Sequence, residues 1–323
     1  MQQVLSLIKS FLSEMGGQIA PEAAVEESRY HLSVADPRPS QGNFFEIPDS
    51  PGRRMALQLF QAGRSNTYLI GQITTQNDVR PVHYASVASA ILHRADGRLA
   101  PYTRPLTADL LLLDLADLDE GEIIERYRQG IEIIDTKPQT SSYKDRRIAA
   151  VRESARVQRE MQEEGLISCN EQREKGIVIV IDGPLGQING TLKMPGVVGI
   201  VPGDPEVLTG GNSVLACPYK GRTALDLSKK PAVFYMRLRD SYGKNPDFGL
   251  LRVELGQTSD GKAPDEQWAS DIASLLFRER LPIDPENDDW DKNIFALQNA
   301  AKYIDTLIPP PRVVTTYFGR STA

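Results

Sequence analysis

Two cysteines, Cys169 and Cys217, stand far apart in a chain of 323 residues, too few for a disulfide framework or a Cys-based zinc site; a reducing, cytoplasmic setting is expected. Histidine is scarcer than usual, with only His31, His83 and His93, and none of them forms a ligand-pair spacing such as H-E-x-x-H. That shortage argues against Ser-His or Cys-His catalysis. No apolar run approaches the roughly 18 residues of a membrane span. The start, MQQVLSLIKSFLSEMGG, lacks a basic opening and carries Glu14 early, so no signal peptide is expected. Several site motifs are missing too: G-x-x-x-x-G-K-[ST], a G-x-G-x-x-G after a strand, and the G-x-S-x-G elbow. Positive charge is also short, with 37 Lys and Arg against 43 Asp and Glu, for a net −6. Contact with phosphates must therefore come from local patches.

What is present describes a folded α/β protein: 40% hydrophobic and 25% charged residues suffice for a sizeable core. Val4, Leu5, Ile8, Phe11, Leu12 and Met15 fall at helical spacing, which predicts an amphipathic N-terminal helix, either packed on its own domain or docking a partner. Four prolines between Asp36 and Arg54 predict a connector. Met55–Phe60 and Thr67–Ile73 read as two strands around a polar turn at Gln61–Asn66. Val82–Ile91 is ambiguous between strand and helix, and Leu110–Leu115 reads as a buried strand. A short helix is expected at Glu120–Gln129, a short strand at Ile131–Ile134, and a long charged helix over Tyr143–Glu164. Ile177-Val178-Ile179-Val180-Ile181 does not alternate, so it fits a central strand buried on both faces. Ala232–Leu238 and Gly249–Leu255 suggest a hairpin, followed by helices at Glu266–Arg278 and Trp290–Ile308 and a stop at Pro309–Pro311. These boundaries divide the chain into an N-terminal helix and connector over 1–50, a main domain over 51–308, and a tail over 309–323.

The strongest chemical feature is Ile181-Asp182-Gly183-Pro184-Leu185. A carboxylate directly after a buried strand sits at the sheet's carboxyl edge, where open α/β sheets bind ligands. With thiol, imidazole and phosphate-loop chemistry set aside, carboxylates holding a hard divalent metal remain. Arg237, Arg239, Arg252, Lys193 and Arg222 could line a phosphate path, and Phe234 or Tyr235 could stack on a base.

Phe60-Gln61-Ala62-Gly63-Arg64-Ser65-Asn66-Thr67-Tyr68-Leu69-Ile70-Gly71, followed by Ile181-Asp182-Gly183-Pro184-Leu185, resembles the NurA nuclease family. Phe234–Leu238, Leu251–Leu255 and the closing helix add to the resemblance, which spans roughly residues 50–308. It implies an RNase H-like mixed sheet core flanked by helices, cutting DNA with Mn²⁺ or Mg²⁺ in DNA-end processing or antiviral defence. It also implies a homodimer docked on a HerA-type hexameric translocase ATPase. By the resemblance, Asp182 is the family's second Asp. The helix glutamate falls at Glu160, with Glu153 and Glu164 as rivals, and Asp182 and Glu160 are the metal ligands. Arg64 follows the first motif and joins the candidate DNA contacts.

The departures are specific. Ala62 stands where the family's first Asp is expected, through natural degeneration or an inactivating substitution. The family's later Lys falls at Pro202 and its late His near Asn299. Two readings follow: a nuclease subunit inactivated at Ala62, or a catalytically dead scaffold that binds DNA and regulates the ATPase.

Overall fold

A strand buried on both faces needs partners at both edges, and the Ile177–Asp182 strand has them in a computed structural model of the chain. The structure describes residues 2–26, 44–52, 55–75, 78–116, 118, 121–174, 176–202, 212–240, 247–282 and 290–319. In chain order the elements are α1 (Gln2–Glu14), β1 (Gln18–Glu26), β2 (Phe44–Glu46), β3 (Ala56–Thr74), β4 (Val79–Ala95), β5 (Arg98–Pro101) and β6 (Leu106–Leu113). Next come α2 (Gly121–Arg128), β7 (Glu132–Asp135), α3 (Tyr143–Gln172), β8 (Ile177–Asp182), β9 (Val197–Pro202), a single turn α4 (Asn212–Leu215) and β10 (Gly221–Thr223). The chain closes with β11 (Ala232–Arg237), β12 (Leu250–Leu255), α5 (Glu266–Arg278), α6 (Phe295–Leu307) and α7 (Pro311–Gly319).

All twelve strands belong to one mixed sheet, ordered β2-β10-β11-β12-β9-β8-β3-β4-β6-β7, with β1 added to β3 and β5 to β4. β3, β4 and β6 form an antiparallel meander. The chain then crosses through α3 and returns as β8, parallel to β3, with β9 parallel to β8. Helices cover both faces, as a sheet with two apolar faces requires.

α3 lies on one face, where Leu166 and Cys169 pack with Leu59, Ile179 and Ile181. On the other face, Trp268, Ile272 and Leu276 of α5 meet Val178, Val180, Phe234, Met236 and Val253. α6 lays Ala300 and Ile304, with Ile308 just after it, on Ala62, Ala88 and Ala90.

The N-terminal helix forms as its periodicity predicts. Leu5, Ile8, Phe11 and Leu12 are buried among Tyr68, Ile70, Tyr127, Val314 and Phe318, so the apolar stripe is used within the chain. Each such side chain contributes at most about 1.5–3 kcal/mol. The stripe is thus not available for docking a partner. The tail holds α7, which packs on β1 and β3 and places Pro311 at a helix start, where its missing N–H costs nothing.

The largest departure concerns β3. Gln61–Asn66 is not a turn: Ala56–Thr74 runs as one strand of 19 residues, paired with β4 from Leu59 to Thr74. Gly63 serves close approach, since a Cβ there would stand 3.0 Å from Gln158 and Gln162 of α3. Val82–Ile91 resolves as strand within β4, and the hairpin of β11 and β12 is antiparallel as expected. Its polar turn at 241–246 lies outside the described residues, as does most of the proline-rich connector.

Candidate functional site

β3 changes partners midway. Ala56–Gln61 pairs with β8, and Thr67–Gln72 pairs with β1. Between them, residues 62–66 pair with β4 alone among the described residues. β8 ends opposite this gap at Asp182. Among the described residues, the pairing thus leaves a notch just beyond the carboxyl end of a parallel strand, the place where such sheets bind ligands.

Strand alternation assigns the faces. Gln61 pairs in register with Ile181, whose side chain packs under α3. Asp182 consequently shares the opposite face with Ala62, Arg64 and α6. Arg64 forms an ion pair with Asp305 of α6, both side chains 46% exposed. Asp182 reaches solvent through the notch, yet protein crowds its carboxyl, so desolvation pushes its pKa up while nearby Arg64 pulls it down.

The loop after Asp182 is anchored from within. Gly183 has φ +119 with open space where a Cβ would be, and its N–H donates to the Ile200 carbonyl at 2.8 Å. The Leu185 N–H donates to buried Glu254 Oε2 at 2.8 Å, and Arg252 balances that carboxylate at 2.6 Å.

This accounting corrects the expected DNA contacts. Arg252 is buried because it neutralises Glu254. Arg237 is buried and donates to the backbone carbonyls of Cys217 at 2.6 Å and Leu215 at 2.8 Å. Arg222, only 1% exposed, lies between the rings of Phe45 and Phe234 and pairs with Glu266 at 2.7 Å. All three hold the fold together and are closed to a phosphate. Phe234 and Tyr235 are both core residues, so neither is open to stack on a base. Lys193 and Arg64 are exposed, Arg239 partly so.

The helix glutamates are not brought to Asp182. Glu160 is 55% exposed on the outer side of α3 and pairs with Arg156; Glu153 accepts from the same arginine at 2.7 Å, and Glu164 is exposed. The sheet separates all three from the face Asp182 occupies. Toward β3, α3 instead presents Ser154, Gln158 and Gln162. Thr67 and Ser154 share a hydrogen bond of 2.7 Å, and Gln61 Nε2 donates to the Gln162 carbonyl at 2.7 Å. That neutral stripe at four-residue spacing was readable in the sequence.

A divalent metal does not fit this donor set. Ala62 offers a methyl 1% exposed in an apolar seam, the amides of Gln158 and Gln162 face the wrong side, and Arg64 supplies a positive charge beside Asp182. Among the described residues, no group of three or more His, Cys, Asp or Glu side chains gathers to hold a metal. No described helix is long and apolar enough to cross a membrane.

No protein-family model matches the chain, and no curated protein matches it. Among solved structures, it is similar to the crystal structure of the NurA nuclease from Sulfolobus solfataricus, with a TM-score of 0.44 and 11% identity over 81% of each chain.

Proposed function

We propose that the chain is a non-cleaving subunit of the NurA kind, a scaffold that holds DNA beside a HerA-type translocase ATPase, as a homodimer built on an RNase H-like core. The sequence resemblance supports the family reading, and the antiparallel meander with a helix crossover to a parallel strand fits that core. One observation carries the non-cleaving part: the corner that needs a carboxylate is Ala62, buried under Ala300 and Ile304 of α6 and Ile308 just after it. A methyl cannot ligate a metal, and a carboxylate buried there unpaired would cost several kcal/mol. A second reading, a nuclease disabled at one position, is favoured by Asp182, a strand-end carboxylate kept at the open notch.

Linear DNA incubated with Mn²⁺ and each variant separates the two. The scaffold reading expects no cutting by the wild type or by Ala62→Asp, with a shifted DNA band for the wild type and a melting scan confirming that the variant folds. Cutting by Ala62→Asp that Asp182→Ala then removes would overturn it in favour of the disabled nuclease.

A further inference from the structure

One guanidinium at the notch faces two carboxylates. Asp182 ends β8 beside Ala62, and Arg64 stands two residues further along the same face of β3. Asp305 of α6 closes on Arg64 in an ion pair that leaves both side chains 46% exposed. Lys302, three residues earlier and on the same side of α6, is exposed and makes no ion pair among the described residues.

Asp305 does nothing for the helix that carries it. It lies in the last turn of α6, where a carboxylate opposes the helix dipole and no basic residue offsets it. It adds nothing to the core either, since it is exposed. An ion pair this open is weak, because water screens it and two side chains must be held still to make it. Asp305 therefore covers Arg64 with an acceptor that is easily displaced.

We propose that Asp305 is an internal stand-in for a DNA phosphate: it occupies Arg64 in the free chain, and a phosphodiester displaces it, with Lys302 as a second cation beside the strand. Carboxylate and phosphate present the same kind of acceptor to the planar guanidinium fork, so one can replace the other without rebuilding the site. Asp182 stays fixed at the end of β8, whereas Asp305 has only its exposed pair to lose. This inference rests on the DNA-holding reading and names the cation that holds the strand and the group that covers it beforehand. It also fits the net −6 of the chain, because a cation masked by the chain's own carboxylate keeps DNA affinity low until a strand competes for it.

The test is fluorescence anisotropy of a labelled DNA duplex with the full chain at low salt. Asp305→Asn should tighten binding about two- to fivefold, the range that open ion pairs of this kind allow. Arg64→Gln should weaken wild-type binding and reduce the salt slope by about one, and Lys302→Gln should act in the same direction. The decisive variant carries both Arg64→Gln and Asp305→Asn: the gain should vanish, because it needs the guanidinium that Asp305 covers. Glu125→Gln, which removes the same charge from an exposed pair with Arg128 on α2, should leave binding unchanged. Inorganic phosphate at matched ionic strength should displace the duplex no better than chloride does, and melting scans check that each variant folds. If the wild type binds but Asp305→Asn binds no tighter, or gains as much without Arg64, or is matched by Glu125→Gln, this inference is wrong and the DNA-holding reading stands. Displacement by inorganic phosphate at concentrations where chloride has no effect would reassign Arg64 to a free anion. If neither the wild type nor Asp305→Asn binds DNA, both the inference and the reading fall. Arg64-dependent binding of polyglutamate with none of DNA would reassign the site to an acidic protein partner.

Discussion

Two arginines sit between two aspartates in this molecule, and they do opposite things. Arg146 of α3 is 3% exposed and donates to Asp114 at 2.7 Å through Nε and to Asp78 at 2.7 Å through Nη1. It thereby ties α3 to the start of β4 and the end of β6. Arg64 lies between Asp305 and Asp182, but half in solvent and at the open notch. In the first cluster every carboxylate has a donor, and Asp78 is held below its usual pKa by Arg146. In the second, Asp182 is pushed the other way. Composition is the same; burial and pairing decide which cluster is architecture and which is strain kept at a site.

Breaking the first cluster should cost the most. Arg146→Ala leaves Asp114 buried without its charge partner and removes a link between α3 and the meander. The expected loss is about 3–5 kcal/mol, as for other broken buried pairs, read as a fall in the denaturant midpoint. A loss below about 1 kcal/mol would show that Asp114 finds water, and the contrast between the clusters would collapse.

The second cluster should respond with the opposite sign. The folded-state pKa of Asp182 is raised above its ordinary 3.8. From that value upward, the folded chain keeps a proton that the unfolded chain has released. Stability contributed by this group therefore declines as pH climbs through the raised pKa. Asp182→Asn removes the dependence, so the variant should melt above the wild type at neutral pH, with the difference closing below pH 3.8. A variant that melts lower at neutral pH would mean that Asp182 is a structural residue after all. Stabilisation on neutralising a group is the behaviour of a residue kept for function.

Legibility in the sequence followed the same physics. Hydrophobic patterning exposed α1 and α5 by their apolar stripes, and β8 and the β11–β12 hairpin by short apolar runs buried on both faces. It failed at Gln61–Asn66, where a polar stretch looked like a turn and is strand under a polar helix face. Gly63 there answers to the glutamines of α3, a contact separated by about a hundred residues in the chain. Asp182 at the sheet edge was readable from five β-branched residues ahead of it. The arginines were not: Arg222 and Arg237 resemble surface cations until their partners, Glu266 and the Cys217 carbonyl, are brought in by the fold, and Arg252, paired with Glu254 two residues along the same strand, is buried because that strand is central to the sheet. Likewise the i, i+4 pairing of Glu160 with Arg156 was visible, but the side of the sheet it occupies is set by topology.

The smallest effect should come from Arg64→Ala, and it is the sharpest discriminator between the clusters. Its partner Asp305 and Arg64 itself are both 46% exposed, so losing their pair should cost no more than about 0.2–1 kcal/mol. Stability is thus nearly silent where Arg146→Ala is loud. The informative reading is the titration of Asp182 followed by NMR. Arg64 is the charge that opposes desolvation at this carboxyl, so its removal should move the Asp182 pKa further up. An unchanged titration would place the Arg64 charge too far from Asp182 to matter, and the notch would then hold a lone carboxylate without an electrostatic partner.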